Sequence, residues 1–222
     1  MLIEIFSDTI CPWCYIGKRK LEAALDTYPP FRERRDAVEI LWRPFQLNPD
    51  MPPEGMDRRT YLSTKFGSEL RARQIYDNIR QASEQAGLHL DFGRIERTPS
   101  TLDSHRLIRW ARSPGVQNDV VEALFESYFI KGRNIGDHAV LTDIAGQCGM
   151  DAGLVSELLE RDDDRDQIRA EDAQARRLGI NGVPCFIIDR KYAISGAQQP
   201  PVFHKVFDLA RSEEMIPDLQ ES

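Results

Sequence analysis

Absent from this chain is any run of residues long and apolar enough to cross a bilayer as a helix, which excludes a membrane protein of that kind. Absent too is a basic stretch followed by a long apolar segment and a cleavage site, since Met1-Leu2-Ile3-Glu4 runs straight into a strand-like segment. Both point to a soluble, cytoplasmic protein without a Sec-type leader. Basic charge is in deficit: 29 Lys and Arg face 36 Asp and Glu, for a net charge of −7. That balance argues against nucleic acid or an anionic membrane as a general partner. Cysteine is scarce, four in 222 residues, and a chain of this length buries a core without covalent staples. In a reducing compartment a structural disulfide is not expected, whereas a catalytic one is. His89, His138 and His204 show no ligand spacing, and the chain carries neither a fixed-period repeat nor a low-complexity tract. No bound cofactor or metal is expected.

Two of the four cysteines stand together, in Cys11-Pro12-Trp13-Cys14, and the rest of the chain is organised around them. Leu2-Ile3-Glu4-Ile5-Phe6 is β-branched and aromatic enough for a buried strand, which Ser7-Asp8-Thr9 breaks. From Pro12 onward Tyr15, Ile16, Leu21, Ala24 and Leu25 recur at helical spacing, with the proline where a helix tolerates a missing N–H. Cys11 thus falls at a helix N-terminus, beside unpaired amides and the positive end of the dipole. Attack on a disulfide needs a thiolate, and helix N-termini favour that species, so Cys11 is the expected nucleophile. Cys14, one turn on and closer to the core, is the expected resolving residue. A packed cysteine pair and half of a zinc site are the other readings of the motif. Zinc would need Cys148 and Cys185, single and far apart, to be brought in by the fold.

Tyr28-Pro29-Pro30 reads as a stop, Arg32 to Asp36 as a solvated loop, and Val38-Glu39-Ile40-Leu41-Trp42 as a second strand. Strand, helix and strand make a right-handed βαβ unit with the cysteine pair at its first corner. Residues 43–55 are proline-rich and read as a lining loop. Helical patterns then run from about Asp57 to Leu178, broken by a loop over residues 88–99. Gly149 and Gly179 read as helix C-caps. The end returns to β character, with Cys185-Phe186-Ile187-Ile188, a turn at Asp189-Arg190, and Tyr192-Ala193-Ile194, before a helix from Pro200 to about Ala210. The economical arrangement joins 1–45 and 179–222 in one α/β domain and leaves 46–178 as a helical insertion.

Four stretches carry a resemblance: Cys11 to Gly17, Arg43-Pro44-Phe45-Gln46-Leu47-Asn48-Pro49, Thr101 to Trp110 around His105-Arg106, and Gly179-Ile180-Asn181-Gly182-Val183-Pro184. Together they resemble the DsbA-family oxidoreductases, in particular the FrnE-like branch, over nearly the whole chain. The resemblance implies a thioredoxin-like α/β fold with a large helical insertion, and dithiol–disulfide exchange with protein thiol or disulfide substrates. It also implies a cis peptide bond before Pro184, facing the cysteine pair. Val183 then offers backbone N–H and C=O to an extended substrate, in the manner of strand addition. Pro12, Trp13, Val183, Pro184, Phe45 and His105 are the residues expected to meet substrate, with Trp13 and Phe45 lining an apolar groove. Glutathione or a thioredoxin-type protein is the redox partner that fits, and a homodimer is compatible.

Two departures bear on strength as an oxidant. The acidic residue that many relatives carry six positions before the first cysteine is Ile5 here, and Glu4 points to the other face by strand alternation. The histidine inside the DsbA motif is replaced by Trp13, so a weaker oxidant is expected. His105 is a candidate proton shuttle facing the pair. Cys185 and Cys148 read as packed thiols, and Asp162-Asp163-Asp164 as a solvated helix start. Kappa-class transferases and 2-hydroxychromene-2-carboxylate isomerases share the insertion architecture but use a serine near the first-cysteine position, which two cysteines here count against. A chaperone-like or zinc-binding module is the non-enzymatic alternative.

Overall fold

The computed structural model describes residues 1–214. The last eight residues of the C-terminal unit expected over 179–222 lie outside the described residues. β1 (Leu2–Ser7) leads into α1 (Pro12–Thr27), and α2 (Pro29–Arg32) and a turn of 3-10 helix at Arg35–Ala37 return the chain to β2 (Glu39–Pro44). There follow β3 (Met56–Asp57), α3 (Arg58–Phe66), α4 (Glu69–Gln85), β4 (Arg97–Thr98), α5 (Leu102–Trp110) and α6 (Gln117–Phe129). Helices α7 (His138–Gln147), α8 (Ala152–Leu159) and α9 (Arg165–Arg177) precede β5 (Cys185–Ile188), β6 (Tyr192–Ser195) and α10 (Pro200–Glu214).

The main sheet has the order β2-β1-β5-β6, with β1 and β2 parallel and the other neighbours antiparallel. Alternation along β1 sorts its side chains between two faces. Ile3 and Ile5 join Ile16 and Leu21 of α1 and Phe203 and Phe207 of α10 in the large core, whereas Phe6 packs with Cys185, Ala175 and Ile180 on the reverse face. Glu4, on that reverse face, accepts two hydrogen bonds from Arg43 on β2, at 2.9 and 2.7 Å. The β5–β6 turn falls at Asp189 and Arg190, with φ of 48° and 57°, the left-handed pair that a tight hairpin requires.

The large core continues without interruption into the helical insertion. Tyr15 of α1 stacks on Phe125 of α6 at 4.9 Å and its hydroxyl donates to Glu122 at 2.7 Å. Lys18, buried on the same helix face, pairs with Glu122 at 2.7 Å, so α1 holds α6 by packing and by charge together. A parallel βαβ unit and a closing ββα unit sharing one sheet, with helices inserted between them, form a thioredoxin-like fold with a helical insertion. Among the described residues no helix is long and apolar enough to cross a membrane.

The structure corrects four local expectations. Pro29 and Pro30 open α2 instead of stopping the chain, because the first helical turn has no partner for their missing N–H groups. The expected start of the helices near Asp57 and the expected loop over 88–99 instead meet as an antiparallel pair, β3 with β4, in the register Met56 with Thr98 and Asp57 with Arg97. α10 runs on to Glu214. Asp164 is not merely solvated, since its carboxylate accepts from Arg106 Nε and Trp110 Nε1, both at 2.6 Å.

Candidate active site

The corner between β1 and α1 is closed by the backbone. Cys11 N–H donates to the Asp8 carbonyl and Cys14 N–H to the Cys11 carbonyl, both at 3.0 Å. Cys11 is the N-cap of α1 and Pro12 its first residue. Both thiols are free, Cys11 being 4% and Cys14 1% exposed. Opposite them the Val183–Pro184 peptide bond is cis, and Cys11 Sγ lies 3.6 Å from the Val183 carbonyl oxygen. Gly17 makes that approach possible. A Cβ there would stand 2.8 Å from Pro184 Cγ and 3.2 Å from Phe186 Cζ, closer than carbon atoms pack. Trp13 faces outward at 38% exposure beside the half-buried Pro12.

Burial above all, then the hydrogen bond to Cys11 and the charge there, push the Cys14 thiol well above its ordinary range. The Ser7 hydroxyl and the Asp8 backbone oppose this. Asp8 is itself fully buried. Its Oδ2 accepts from Leu47 N–H at 2.6 Å, and its Oδ1 faces His105 Nε2 of α5 at 3.6 Å. Beside them the hydroxyls of Thr9 and Ser104 are hydrogen-bonded at 2.8 Å. The loop after β2 is strapped down next to this corner: Gln46 N–H donates to Asp172 Oδ1 at 2.7 Å, and Arg176 Nε donates to Asp172 Oδ2 at 3.0 Å.

Cys11, Pro12, Trp13, Cys14, Val183 and Pro184 therefore come together at one end of the sheet, with His105 behind them. Phe45 does not join them at the surface. It is 2% exposed and covered by the Arg176 guanidinium at 4.3 Å, because the strapped loop turns the ring inward; it lines no groove. His105 faces Asp8 instead of standing open towards the cysteines, for Ser104 docks α5 on the β1–α1 corner. Cys185 packs with Phe45, Ala175 and Ile180, and burial raises its thiol. Among the described residues no three His, Cys, Asp or Glu are grouped to hold a metal ion.

Sequence reasoning passed over Asp8, which looked like a turn residue, although its place three before Cys11 was a usable signal. It also passed over Arg58. The residue is 9% exposed, and its guanidinium bonds to neutral oxygens, Tyr76 OH at 2.6 Å and Thr98 Oγ1 at 2.9 Å, while stacking over Tyr61 and Tyr76. Tyr76 belongs to α4, which packs on α1, and burial raises its hydroxyl.

The DSBA-like thioredoxin domain family matches residues 2–208. The uncharacterized protein YwbO of Bacillus subtilis (strain 168) is 27% identical over 204 residues, spanning 91% of this chain and 94% of its own. A probable DsbA oxidoreductase from Streptomyces coelicolor has a similar structure, with a TM-score of 0.87 at 33% identity, over 100% of this chain and 94% of its own. The cytosolic disulfide reductase DsbM of Pseudomonas aeruginosa, in a structure with glutathione, shares the fold with a TM-score of 0.67 at 15% identity, over 96% of this chain and 100% of its own. A match that runs from the first strand into the closing helix takes in the whole architecture described above, and on it the chain belongs to the DSBA-like thioredoxin domain family of thiol–disulfide oxidoreductases.

Proposed function

We propose that this protein exchanges disulfides with protein substrates through Cys11 as nucleophile and Cys14 as resolving residue. The observation that carries the reading is the placement of Cys11 at the head of α1 with its sulfur 3.6 Å from the Val183 carbonyl. Reacting sulfur and a strand-like recognition edge thus share one spot. The Cys11 thiolate attacks one sulfur of the substrate disulfide, a mixed disulfide forms, and the second substrate sulfur leaves as a thiolate. Cys14 then gives up its proton and attacks Cys11 Sγ. The Cys11–Cys14 disulfide forms, and the first substrate sulfur leaves in turn, so the substrate gains the two electrons that the protein loses.

Val183 and Pro184 hold the extended substrate chain beside the sulfur, and Trp13, exposed at the mouth, gives it an apolar lip. Residues 1–45 and 179–222 serve as the redox domain and 46–178 as its helical cover. Glutathione, present with DsbM, is a fitting reductant for the oxidised pair, with a thioredoxin-type protein as the alternative. Work in the cytoplasm, which keeps thiols reduced, accords with a reductant of that kind.

Insulin reduction and reactivation of scrambled ribonuclease, measured for the wild type, Cys11→Ser and Cys14→Ser, test the reading. Cys11→Ser is expected to abolish both activities, and Cys14→Ser to accumulate a mixed disulfide on Cys11. Full activity in Cys11→Ser overturns the assignment. The reduction potential is expected to lie below the value of about −120 mV typical of DsbA, because Trp13 and Ile5 are both uncharged.

A further inference from the structure

Among the described residues, the buried lysines and arginines are Lys18, Arg58 and Arg106. Lys18 has Glu22 at 2.5 Å and Glu122 at 2.7 Å, and Arg106 has Asp103 at 2.8 Å and Asp164 at 2.6 Å. Arg58 has no carboxylate within ion-pair reach among the described residues. Its Nη1 donates to Thr98 Oγ1 at 2.9 Å and to Tyr128 OH at 3.5 Å, and its Nη2 to Tyr76 OH at 2.6 Å. The Nε–H and the second Nη2–H meet no acceptor there. Exposed Lys65, also on α3, is in the same condition: it bonds to Tyr61 OH at 2.5 Å and Asn48 Oδ1 at 3.5 Å. The Arg58 guanidinium lies 5.5 Å and the Lys65 ammonium 5.1 Å from the Tyr61 ring, so two cations share one tyrosine without an anion.

A guanidinium taken out of water with its charge unanswered costs stability. Neutral oxygens and ring faces return part of that cost. What is left is an attraction for a carboxylate, which a guanidinium grips through two N–H groups at once. The chain as a whole carries a net charge of −7, so this attraction is a property of the spot and not of the general field.

Two short chains of contacts join the spot to the cysteine corner. Asp8, three residues before Cys11, holds Leu47 N–H at 2.6 Å, and the next residue, Asn48, donates to Tyr61 OH at 3.3 Å. On the other side Tyr76 belongs to α4, which packs on α1. Burial above all raises its hydroxyl, Arg58 opposes this, and charge on Cys11 adds to the rise, so the reacting sulfur is felt at the atom that Arg58 holds. Accepting the proposed attack by Cys11 on protein disulfides, we propose that Arg58, with Lys65 beside it, is a subsite for an acidic side chain of the substrate, close in sequence to the cysteine under attack. In an extended substrate each residue advances the chain by about 3.3 Å, so an Asp or Glu within about two residues of that cysteine stays beside the same corner.

The test is the rate at which the reduced protein reduces two disulfide peptides that differ only in Glu or Gln beside one cysteine. The wild type is expected to favour the Glu peptide by about tenfold at low salt, and by less as salt rises. Arg58→Gln is expected to bring the ratio to about one, Arg58→Lys to keep part of it, and Lys65→Gln to narrow it by about twofold. Should Arg58→Gln not fold, the wild-type ratio, its salt dependence and Lys65→Gln decide. Equal rates on the two peptides in the wild type overturn the inference and leave the redox pair standing. Loss of rate on both peptides alike in Arg58→Gln, with the ratio kept, marks a structural role only and overturns it too. Oxidised glutathione and its ethyl ester form a second pair: discrimination confined to them assigns the cations to a small thiol and overturns the assignment to protein substrates. A wild type that reduces neither peptide overturns the proposed function and this inference with it.

Discussion

His105 and Arg106 are consecutive residues of one helix, both buried, and their surroundings are opposites. Arg106, 1% exposed, donates from Nε to Asp164 at 2.6 Å, from Nη1 to Asp103 at 2.8 Å, and from Nη2 to the carbonyls of Leu158 and Arg161 at 2.7 and 2.6 Å. It joins α5 to the ends of α8 and α9 with its donors in use. His105, turned the other way, has an Nε2 that bonds to nothing and looks at an equally unmatched carboxylate oxygen. A saturated side chain of this kind holds a fold together, because every bond is already made. An unsaturated one keeps capacity for a proton or a partner at a local cost in stability.

The largest expected effect lies on the saturated side. Arg106→Met strips the carbonyls of Leu158 and Arg161 of their side-chain donor and leaves Asp103 with His138 and Arg165, and Asp164 with Trp110, and is expected to cost about 3–5 kcal/mol, read from urea denaturation. A loss under about 1 kcal/mol would show that α5 is held by its apolar contacts instead. Next comes Gly17→Ala, whose methyl meets Pro184 and Phe186 at 2.8 and 3.2 Å. It should destabilise by about 1–3 kcal/mol and, by displacing Pro184 from Cys11, slow insulin reduction. Unchanged activity and stability would mean that this contact relaxes freely. His105→Gln is expected to change stability by no more than about 1 kcal/mol, since no hydrogen bond at Nε2 is lost, which sets it apart from its neighbour in the same denaturation assay.

The smallest effect is a dependence on pH. His138 bridges Asp103 at 3.1 Å and Glu160 at 3.0 Å. Burial disfavours its charged form, but the two carboxylates outweigh burial and raise its pKa above the ordinary imidazole value. Its contribution to stability is therefore fully present below the unfolded value of about 6.5, and is lost as pH rises through the higher folded one. Melting temperatures on either side of that range should fall with rising pH in the wild type more than in His138→Gln. Parallel curves would remove the histidine from the saturated cluster.

How much was legible in the sequence follows from range. β1, α1, β2, β5 and β6 declare themselves by local periodicity, and the Asp189-Arg190 turn by its position between two short apolar runs. β3 and β4 do not, since two-residue strands show no alternation and their partners are some forty positions apart. The two prolines of α2 fit a helix start as well as a stop, and the chain alone does not choose. Asp8 looks solvated until α5 buries it, and Phe45 looks available until Arg176 covers it.

By itself the sequence determined that two cysteines stand one turn apart at the head of a helix, because spacing and capping are properties of neighbours along the chain. Only the tertiary structure decided what surrounds them: that Val183 and Pro184 meet Cys11 from more than 170 positions away, and that a carboxylate and an imidazole are shut in together behind the pair. Those juxtapositions arise when the sheet closes and the insertion folds back over it, and no local pattern encodes which polar atoms that closure leaves unmatched.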